Sequence, residues 1–160
     1  MNYLRDPSKV ILEDNAGEGL LQFQQSGYRL IVVSNQSGIA RSLVSVEDLK
    51  LVNNRISELL ENYGVTISAW HHCPHLPEEG CSCRKPGVGM YLLEDSVCHV
   101  HWKSSIMVGD KQSDIEAGLS LGLLTALVTT GYGRRNANWA LERGITVVES
   151  ILDLARLVIE

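Results

Sequence analysis

Three cysteines and one histidine lie close together in the middle of the 160-residue sequence, in two pairs that each enclose one residue. The four side chains are Cys73, His75, Cys81 and Cys83. Zn²⁺ prefers four thiolate and imidazole ligands in a tetrahedron, and two short loops with paired ligands can supply them. Since these four donors would fill every coordination position, none would be left for water. The spacing favours a structural zinc site over thiols that cluster without a metal.

Two cations follow the last of these cysteines directly. Arg84 and Lys85 precede a Pro-Gly turn at 86–87. A pair of charges is usually no more than solvated surface, but here the turn and the adjacent metal loop would hold both side chains in place. A lysine ammonium group is a compact charge that suits a phosphoryl oxygen. The sequence therefore predicts an anion site beside the zinc loop.

Two further segments carry polar side chains that suit a phosphate and its counter-ion. Segment 34–38 (Ser-Asn-Gln-Ser-Gly) follows the apolar run 30–33, and its O–H and N–H groups could bind phosphate. Taken alone, such a segment is more often an ordinary strand end. Asp110 and Asp114 come directly after the apolar run 105–108 and could hold a hard cation such as Mg²⁺ through oxygen. A helix cap is the alternative role for Asp114.

Short apolar segments typical of buried strands alternate with segments of helical periodicity. We predict helices over 14–26, 46–63, 88–97, 115–121, 137–143 and 150–158, and strands over 30–33, 65–70, 105–108, 124–128 and 145–148. This alternation predicts an α/β fold, a three-layer, doubly wound parallel sheet with helices on both faces. Ligands bind at the carboxyl ends of the strands in such folds, so one edge should collect Ser34, Cys73, Asp110 and Thr129.

The composition is that of one soluble globular domain over residues 1–160, with the zinc loop at 73–83. The sequence is 44% hydrophobic, its formal net charge is −5, and its length is enough for one core. It has no apolar run of membrane-spanning length and no basic stripe, and its first residues lack the apolar core typical of a signal peptide. We therefore expect no membrane or nucleic-acid partner, and a cytoplasmic location. We also expect a monomer or weak homo-oligomer, a buried Cys98, and ordinary imidazoles at His71, His72, His99 and His101.

In combination, these segments resemble the haloacid dehalogenase (HAD) superfamily of phosphotransferases. Its members carry, in order, a strand ending in Ser or Thr, a Lys, and a strand ending in Gly-Asp-x-x-x-Asp. Here these are Ser34, Lys85, and Asp110 with Asp114. The zinc loop narrows the resemblance to the heptose bisphosphate and histidinol phosphatase branch. Within it, Ser-Asn-Gln-Ser-Gly-Ile-Ala-Arg at 34–41 and Gly-Asp-Lys at 109–111 are similar to the D-glycero-D-manno-heptose 1,7-bisphosphate phosphatase side.

The resemblance implies a magnesium-dependent sugar-phosphate phosphatase and a role for each side chain. Lys85 would offset the charge of the phosphoryl group as it transfers. Asp110 would hold Mg²⁺, with Asp114 either a second ligand or a residue that orients its neighbours. The substrate contacts would come from Ser34, Asn35, Gln36, Ser37, Arg84, Lys85 and Lys111. The structural Zn²⁺ would be bound by Cys73, His75, Cys81 and Cys83.

One part of the family pattern is absent from this sequence. Members carry Asp-x-Asp-Gly after their first strand; the first Asp is the nucleophile, and the second is the general acid and base. No two of the seven Asp residues here are two positions apart, and neither Asp6 nor Asp14 follows an apolar strand. The chain is thus expected to begin late, without the first, central strand and both catalytic carboxylates.

Three functional hypotheses remain open at this point. The leading one is a sugar-phosphate phosphatase represented by an N-terminally shortened chain. Histidinol phosphatase is the alternative within the same enzyme class. In another class, the chain would be a non-catalytic zinc-bearing module that binds a phosphorylated ligand or a partner, because the nucleophile is absent.

Overall fold

Strands and helices alternate along residues 3–159, the part of the chain that the computed structural model describes. The strands are β1 (Ile31–Asn35), β2 (Ala69–Cys73), β3 (Ile106–Gly109), β4 (Leu124–Val128) and β5 (Thr146–Val148). The α-helices are α1 (Ala16–Gln25), α2 (Val46–Glu61), α3 (Gly89–Val97), α4 (Gln112–Ser120), α5 (Gly133–Leu141) and α6 (Ile151–Val158). Short 3₁₀ turns occupy Pro7–Lys9, Pro77–Glu79 and Trp102–Ser104. None of the helices in this range is both long and apolar enough to span a membrane.

All strand pairs are parallel, and helices cover both faces, so the predicted α/β class is confirmed. β1 pairs with β2, which sets Asn35 beside Cys73, and β3, β4 and β5 pair in that order. On one face, α1 and α6 pack through Phe23 and Leu154. On the other face, α3 and α4 contribute Tyr91 and Ala117. The first cluster reaches β3 and the residue directly before β1, and the second reaches both β1 and β3, so the two sheets share their cores.

β1 and β3 lie on either side of a gap and do not pair with each other. A cavity of about 500 Å³ is lined by Ile31 and Val33 from β1 and by Ile106 and Met107 from β3. Within residues 3–159, no strand occupies the space between them. The sheet is therefore divided at the place where the sequence leads us to expect a missing central strand.

The strand predicted over 65–70 lies further along the chain, at Ala69–Cys73. The alternating pattern over 65–70 misplaces the strand, because the first backbone N–H groups of this segment bond to partners outside the sheet. The Val65 N–H bonds to the Leu60 carbonyl at the end of α2, and the Thr66 N–H bonds to Gln24 Oε1. Pairing with β1 begins only where Ala69 lies opposite Ile31.

Cys98 is exposed, so the expectation of a buried thiol is wrong. α3 has ended at Val97, and Cys98 takes an extended backbone conformation with φ −143°. The core contacts of the helix are made earlier, by Met90 and Tyr91 in its first turn. The preceding Val97 is 76% exposed as well, so the end of the helix extends past the core.

A buried carboxylate ties α3 to the strand layer. Glu94 is 8% exposed; its two oxygens bind Arg29 (2.8 Å) and His71 (2.7 Å). The hydrogen bond from His71 is the main cause that holds the pKa of Glu94 below its ordinary value, and Arg29 adds to the effect. A carboxyl whose pKa is depressed by folding stabilises the protein above its ordinary pKa. That contribution is lost as the pH falls through the lowered value.

We predict that Glu94→Gln lowers the free energy of unfolding by about 2 kcal/mol at pH 7, because a neutral amide makes weaker hydrogen bonds to Arg29 and His71. The deficit should shrink as the pH falls below 4.5, the ordinary pKa, because the carboxyl of the unfolded wild type takes up its proton before that of the folded protein does. Urea unfolding at pH 7 and pH 3.5 (roughly one unit below the ordinary pKa) measures both effects. Glu116→Gln, on the exposed side of α4, is the matched control. Equal stability of Glu94→Gln and wild type at pH 7 would contradict this account.

Candidate active site

The predicted metal ligands come together in the structure. The ligand atoms of Cys73, His75, Cys81 and Cys83 all lie within 4.8 Å of one another. Cys73 is the last residue of β2, and the turn Pro77–Glu79 returns the chain so that the second pair faces the first. Cys83 Sγ is 3.1 Å from Cys73 Sγ and 3.2 Å from His75 Nδ1. Three thiols and one imidazole form a donor set that fits Zn²⁺.

The thiols in this cluster influence one another's protonation. Burial raises the pKa of Cys73 to about 12, and the hydrogen bond with Cys83 acts in the same direction. Burial would raise the pKa of Cys81 too, but hydrogen bonds from Cys83 and from the Arg84 backbone outweigh it and lower the pKa to about 7. Because a metal binds thiolates, an ion that enters this cluster must displace protons.

The residues after the cluster fold back onto it. Arg84 donates from its guanidinium group to the His75 carbonyl at 3.1 Å, and the Gly89 N–H donates to the Ser82 carbonyl at 2.9 Å. A Cβ at Gly87 would lie only 2.5 Å from the same Ser82 oxygen, so a side chain there would force the loop apart. The cysteine loop and the segment with the two cations thus form one compact unit.

Asn35, at the end of β1, fastens this unit to the sheet. Its Oδ1 accepts the Lys85 backbone N–H at 2.9 Å, and its Nδ2 donates to the Lys85 carbonyl at 3.0 Å. One side-chain amide therefore satisfies both main-chain polar groups of a residue 50 positions away. The sequence analysis expects Asn35 at the substrate, whereas in the structure its side chain is bonded to the backbone of Lys85.

Lys85 is a buried cation with a buried partner. Its ammonium group lies 2.7 Å from Asp114 Oδ1 and donates to the Val33 carbonyl at 2.6 Å, and the two charged side chains are 8% and 7% exposed. Asp114 Oδ2 accepts the Lys111 N–H at 3.1 Å, which caps α4 and begins it at Gln112, three residues before the predicted start. An ammonium group has three donors, so one remains for a further oxygen. Both Asp114 oxygens are occupied, which favours the capping and orienting role over a metal-binding one.

Asp110 follows β3 directly and is only partly covered. Its Oδ2 accepts the Tyr132 N–H at 2.8 Å. Among residues 3–159, no hydrogen bond reaches Oδ1, so this oxygen is available to a hard cation. Lys111 lies beside it, with its ammonium group 4.6 Å from the centre of the Tyr132 ring.

The polar segment after β1 is ordered by internal contacts. Gln36 donates to Ser34 Oγ at 2.9 Å, and its backbone N–H bonds to the Cys73 carbonyl at 2.7 Å. Ser37 is buried and lies 3.3 Å from the Tyr3 hydroxyl. Ser34 and Asn35 are the last two residues of β1, not residues beyond its end, so the strand is longer than predicted. The segment lies at the carboxyl edge, beside the cysteine loop.

Two residues of this region were missed from the sequence: Tyr132, whose backbone binds Asp110, and Asn136, whose amide reaches the Asp110 carbonyl. Thr129 does follow a strand, but its N–H bonds to the Val148 carbonyl. The glycines at 131 and 133 were the only local signal, because they indicate a backbone that packs closely against another group. That group is Asp110, which lies 22 residues before Tyr132, so no local pattern could identify it.

We predict that Asn35→Ala lowers the free energy of unfolding by about 2 kcal/mol, because the Lys85 N–H and C=O lose their partners in a partly buried place. Chemical denaturation measures the loss. Amide hydrogen exchange should show faster exchange at Lys85. Asn54→Ala, in the exposed middle of α2, is the matched control and should leave both quantities near the wild-type values. Unchanged exchange at Lys85 would show that Asn35 does not hold the loop.

Comparison with known proteins places this geometry in a family. The model of the HAD-hydrolase-like family matches residues 82–154. A probable D-glycero-D-manno-heptose-1,7-bisphosphate 7-phosphatase of Thermoplasma acidophilum is 40% identical over 120 residues, covering 74% of each chain. The D-glycero-beta-D-manno-heptose-1,7-bisphosphate 7-phosphatase of Pseudomonas putida is 34% identical over 136 residues, covering 85% of this chain and 75% of the relative.

A solved structure agrees with these relatives. The D,D-heptose 1,7-bisphosphate phosphatase of Bordetella bronchiseptica, crystallised with magnesium and phosphate, superimposes with a TM-score of 0.89. The match has 29% identity and covers 98% of this chain and 88% of that one. The chain belongs to the HAD-like hydrolases, in the family of the D-glycero-D-manno-heptose-1,7-bisphosphate 7-phosphatases.

Proposed function

We propose that the protein is a magnesium-dependent phosphatase whose substrate is D-glycero-D-manno-heptose 1,7-bisphosphate. The observation that carries the proposal is the buried Lys85–Asp114 pair at the carboxyl edge, with one ammonium donor left for a phosphoryl oxygen. The names of the relatives supply the substrate. We further propose that residues 1–160 form a single domain that includes the loop 73–83.

The residues contribute to phosphate binding in different ways. Lys85 offsets phosphoryl charge from a fixed position, since its backbone and side chain are both held. We assign Arg84, which is half-buried, and Lys111, which is exposed, to the sugar or to a second phosphate. Ser34 offers a hydroxyl, and Gln36 and Ser37 shape the segment beside it. The Asn35 side chain acts through Lys85.

Asp110 fits a magnesium ion through its free Oδ1, because Mg²⁺ prefers carboxylate oxygen. When bound, the ion would polarise a phosphoryl oxygen and neutralise charge on the transferring group. The magnesium in the Bordetella bronchiseptica structure supports the choice of metal. We assign the ion to Asp110 alone, because Lys85 and the Lys111 N–H occupy both oxygens of Asp114.

One observation favours a second candidate, a module that binds the phosphorylated sugar without cleaving it. No two aspartates of this sequence are two positions apart, so no residue can be assigned the paired nucleophile and acid of the family. Asp6 does not replace them, because one of its oxygens accepts from both the N–H and the hydroxyl of Ser8 and caps the first 3₁₀ turn.

We predict that the 160-residue protein binds heptose 1,7-bisphosphate with Mg²⁺ present, and binds it more tightly than histidinol phosphate. Isothermal titration measures both affinities, and phosphate release is followed in the same samples.

Lys85→Gln removes the buried cation and should lower any turnover by about 100-fold to 1000-fold. Lys103→Gln changes an exposed lysine elsewhere and is the matched control.

The outcomes separate the candidates. Release of phosphate supports the phosphatase, and Mg²⁺-dependent binding with no release supports the binding module. Faster turnover of histidinol phosphate would overturn the choice of substrate. If neither binding nor release occurs in a folded sample, both candidates fail.

We also propose that Cys73, His75, Cys81 and Cys83 hold a structural Zn²⁺ that shapes the loop leading to Arg84 and Lys85. The support is the closed set of four donors. Such a set leaves no position for water, which is characteristic of structural zinc and not of catalytic zinc. The hydrogen bond from Arg84 to the His75 carbonyl connects the metal loop directly to the anion site.

We predict one zinc ion per chain in the purified protein, measured by plasma mass spectrometry. Cys81→Ser should lose the metal and unfold at a lower temperature, whereas Cys98→Ser, which changes an exposed thiol outside the cluster, should keep both properties. Zinc affinity should rise with pH, because the raised pKa of Cys73 means that a proton must leave before the thiolate binds. A zinc-free wild type, or full zinc in Cys81→Ser, would contradict the assignment.

A further inference from the structure

The turn between β4 and α5 packs so closely around Asp110 that side chains at Gly131 and Gly133 would not fit. The Tyr132 N–H donates to Asp110 Oδ2 at 2.8 Å. A Cβ placed on Gly131 would collide with this carboxylate, and a Cβ on Gly133 would collide with the Val128 carbonyl. Gly131 also has φ +55°, a conformation that suits glycine. The turn is thus built to bring a backbone donor against one carboxylate oxygen.

Asn136 holds this turn and Asp110 together. It lies in the first turn of α5, and its Nδ2 donates to the Asp110 carbonyl at 2.9 Å and to the Tyr132 carbonyl at 3.3 Å. Both partners are acceptors, so the amide uses its two hydrogens as donors. The side chain therefore bridges the two main-chain segments that the Tyr132–Asp110 hydrogen bond must also span.

The hydrogen bond from Tyr132 restricts the orientation of the Asp110 carboxylate. A free aspartate side chain rotates, and its two oxygens exchange places. With the Tyr132 N–H on Oδ2, rotation costs a hydrogen bond to a charged group, and Oδ1 is kept in one direction. Lys111 is the next residue along the chain, so a shift of the Asp110 main chain would move this side chain as well.

We propose that Asn136 is a positioning residue for Asp110. By fixing the Asp110 main chain to the turn, it keeps the Tyr132 N–H on Oδ2 and presents Oδ1 to a divalent cation. This inference rests on the proposed function only in taking Asp110 as the ligand of that cation. The link between Asn136, Tyr132 and the Asp110 carboxylate stands on the hydrogen bonds alone.

The test uses the 160-residue protein and Mn²⁺ as a paramagnetic probe for the magnesium site. Free Mn²⁺ is counted by electron paramagnetic resonance during titration. Asn136→Ala should weaken Mn²⁺ binding about 10-fold to 100-fold, as is usual when a partner of a metal ligand is removed. Asn136→Leu has a similar size but neither a donor nor a charge, so it should weaken binding by a similar factor. Asn138→Ala, an exposed asparagine two residues later in α5, is the matched control.

A second measurement does not need a metal. Amide hydrogen exchange by NMR should be faster at Tyr132 in Asn136→Ala than in the wild type or in Asn138→Ala, because the hydrogen bond to Oδ2 opens more often. Circular dichroism verifies that each variant is folded, and Asn136→Leu replaces Asn136→Ala if the latter is not.

Each result bears on a different claim. Wild-type Mn²⁺ affinity in a folded Asn136→Ala variant, or unchanged exchange at Tyr132, overturns the positioning role. If Asp110→Asn binds Mn²⁺ as the wild type does, or the wild type binds none, the assignment of Asp110 as metal ligand fails. The Tyr132 exchange rate then decides the role of Asn136 without reference to that ligand.

Discussion

The buried pair of Lys85 and Asp114 is the interaction on which the rest of the site depends. An ammonium group at 8% exposure loses most of its hydration, and without a close partner this would cost several kcal/mol. Asp114 can reach it only because α4 begins at Gln112 and because Gly109 leaves room; a Cβ at Gly109 would collide with the Asp114 carboxyl group. The conformation after β3 thus depends on the ammonium group of Lys85, which directly follows the cysteine loop.

Lys85 also links the end of the cysteine loop to β1, which is remote in sequence. Its backbone is bound by Asn35 at the end of β1, and its side chain also donates to the Val33 carbonyl of that strand. The cysteine cluster starts at Cys73, the residue opposite Asn35 in the parallel pair. Strand pairing, the side-chain amide and the contacts within the cysteine cluster therefore fix one small region from three directions. Such convergence explains how a loop with little secondary structure can hold a buried cation in place.

The features that could be predicted from sequence are those with a local pattern. The spacing of Cys73, His75, Cys81 and Cys83 indicated their cluster, and the helical periodicity over 46–63 correctly placed the start of α2 at Val46. The features that were missed are set by partners far away in the chain. Nothing near Asn35 indicates that its amide binds Lys85, and the alternation at 65–70 cannot show that Gln24 already occupies the Thr66 N–H. Cys98 directly follows the helical segment 88–97, and nothing near it in sequence shows that the helix ends there and leaves the thiol exposed.

The charges at the carboxyl edge constrain how a phosphate can be bound. Lys85 and Asp114 together are neutral, so the pair offers a donor but little net attraction. Asp110 adds a negative charge with one open oxygen, which by itself repels a phosphate dianion. Arg84 and Lys111 offset this repulsion only from partly solvated positions, where screening weakens them. The side chains of the site therefore favour phosphate strongly only when Asp110 is neutralised by a cation. In the proposed site, the orientation of this free oxygen would therefore determine both the metal affinity and the anion affinity.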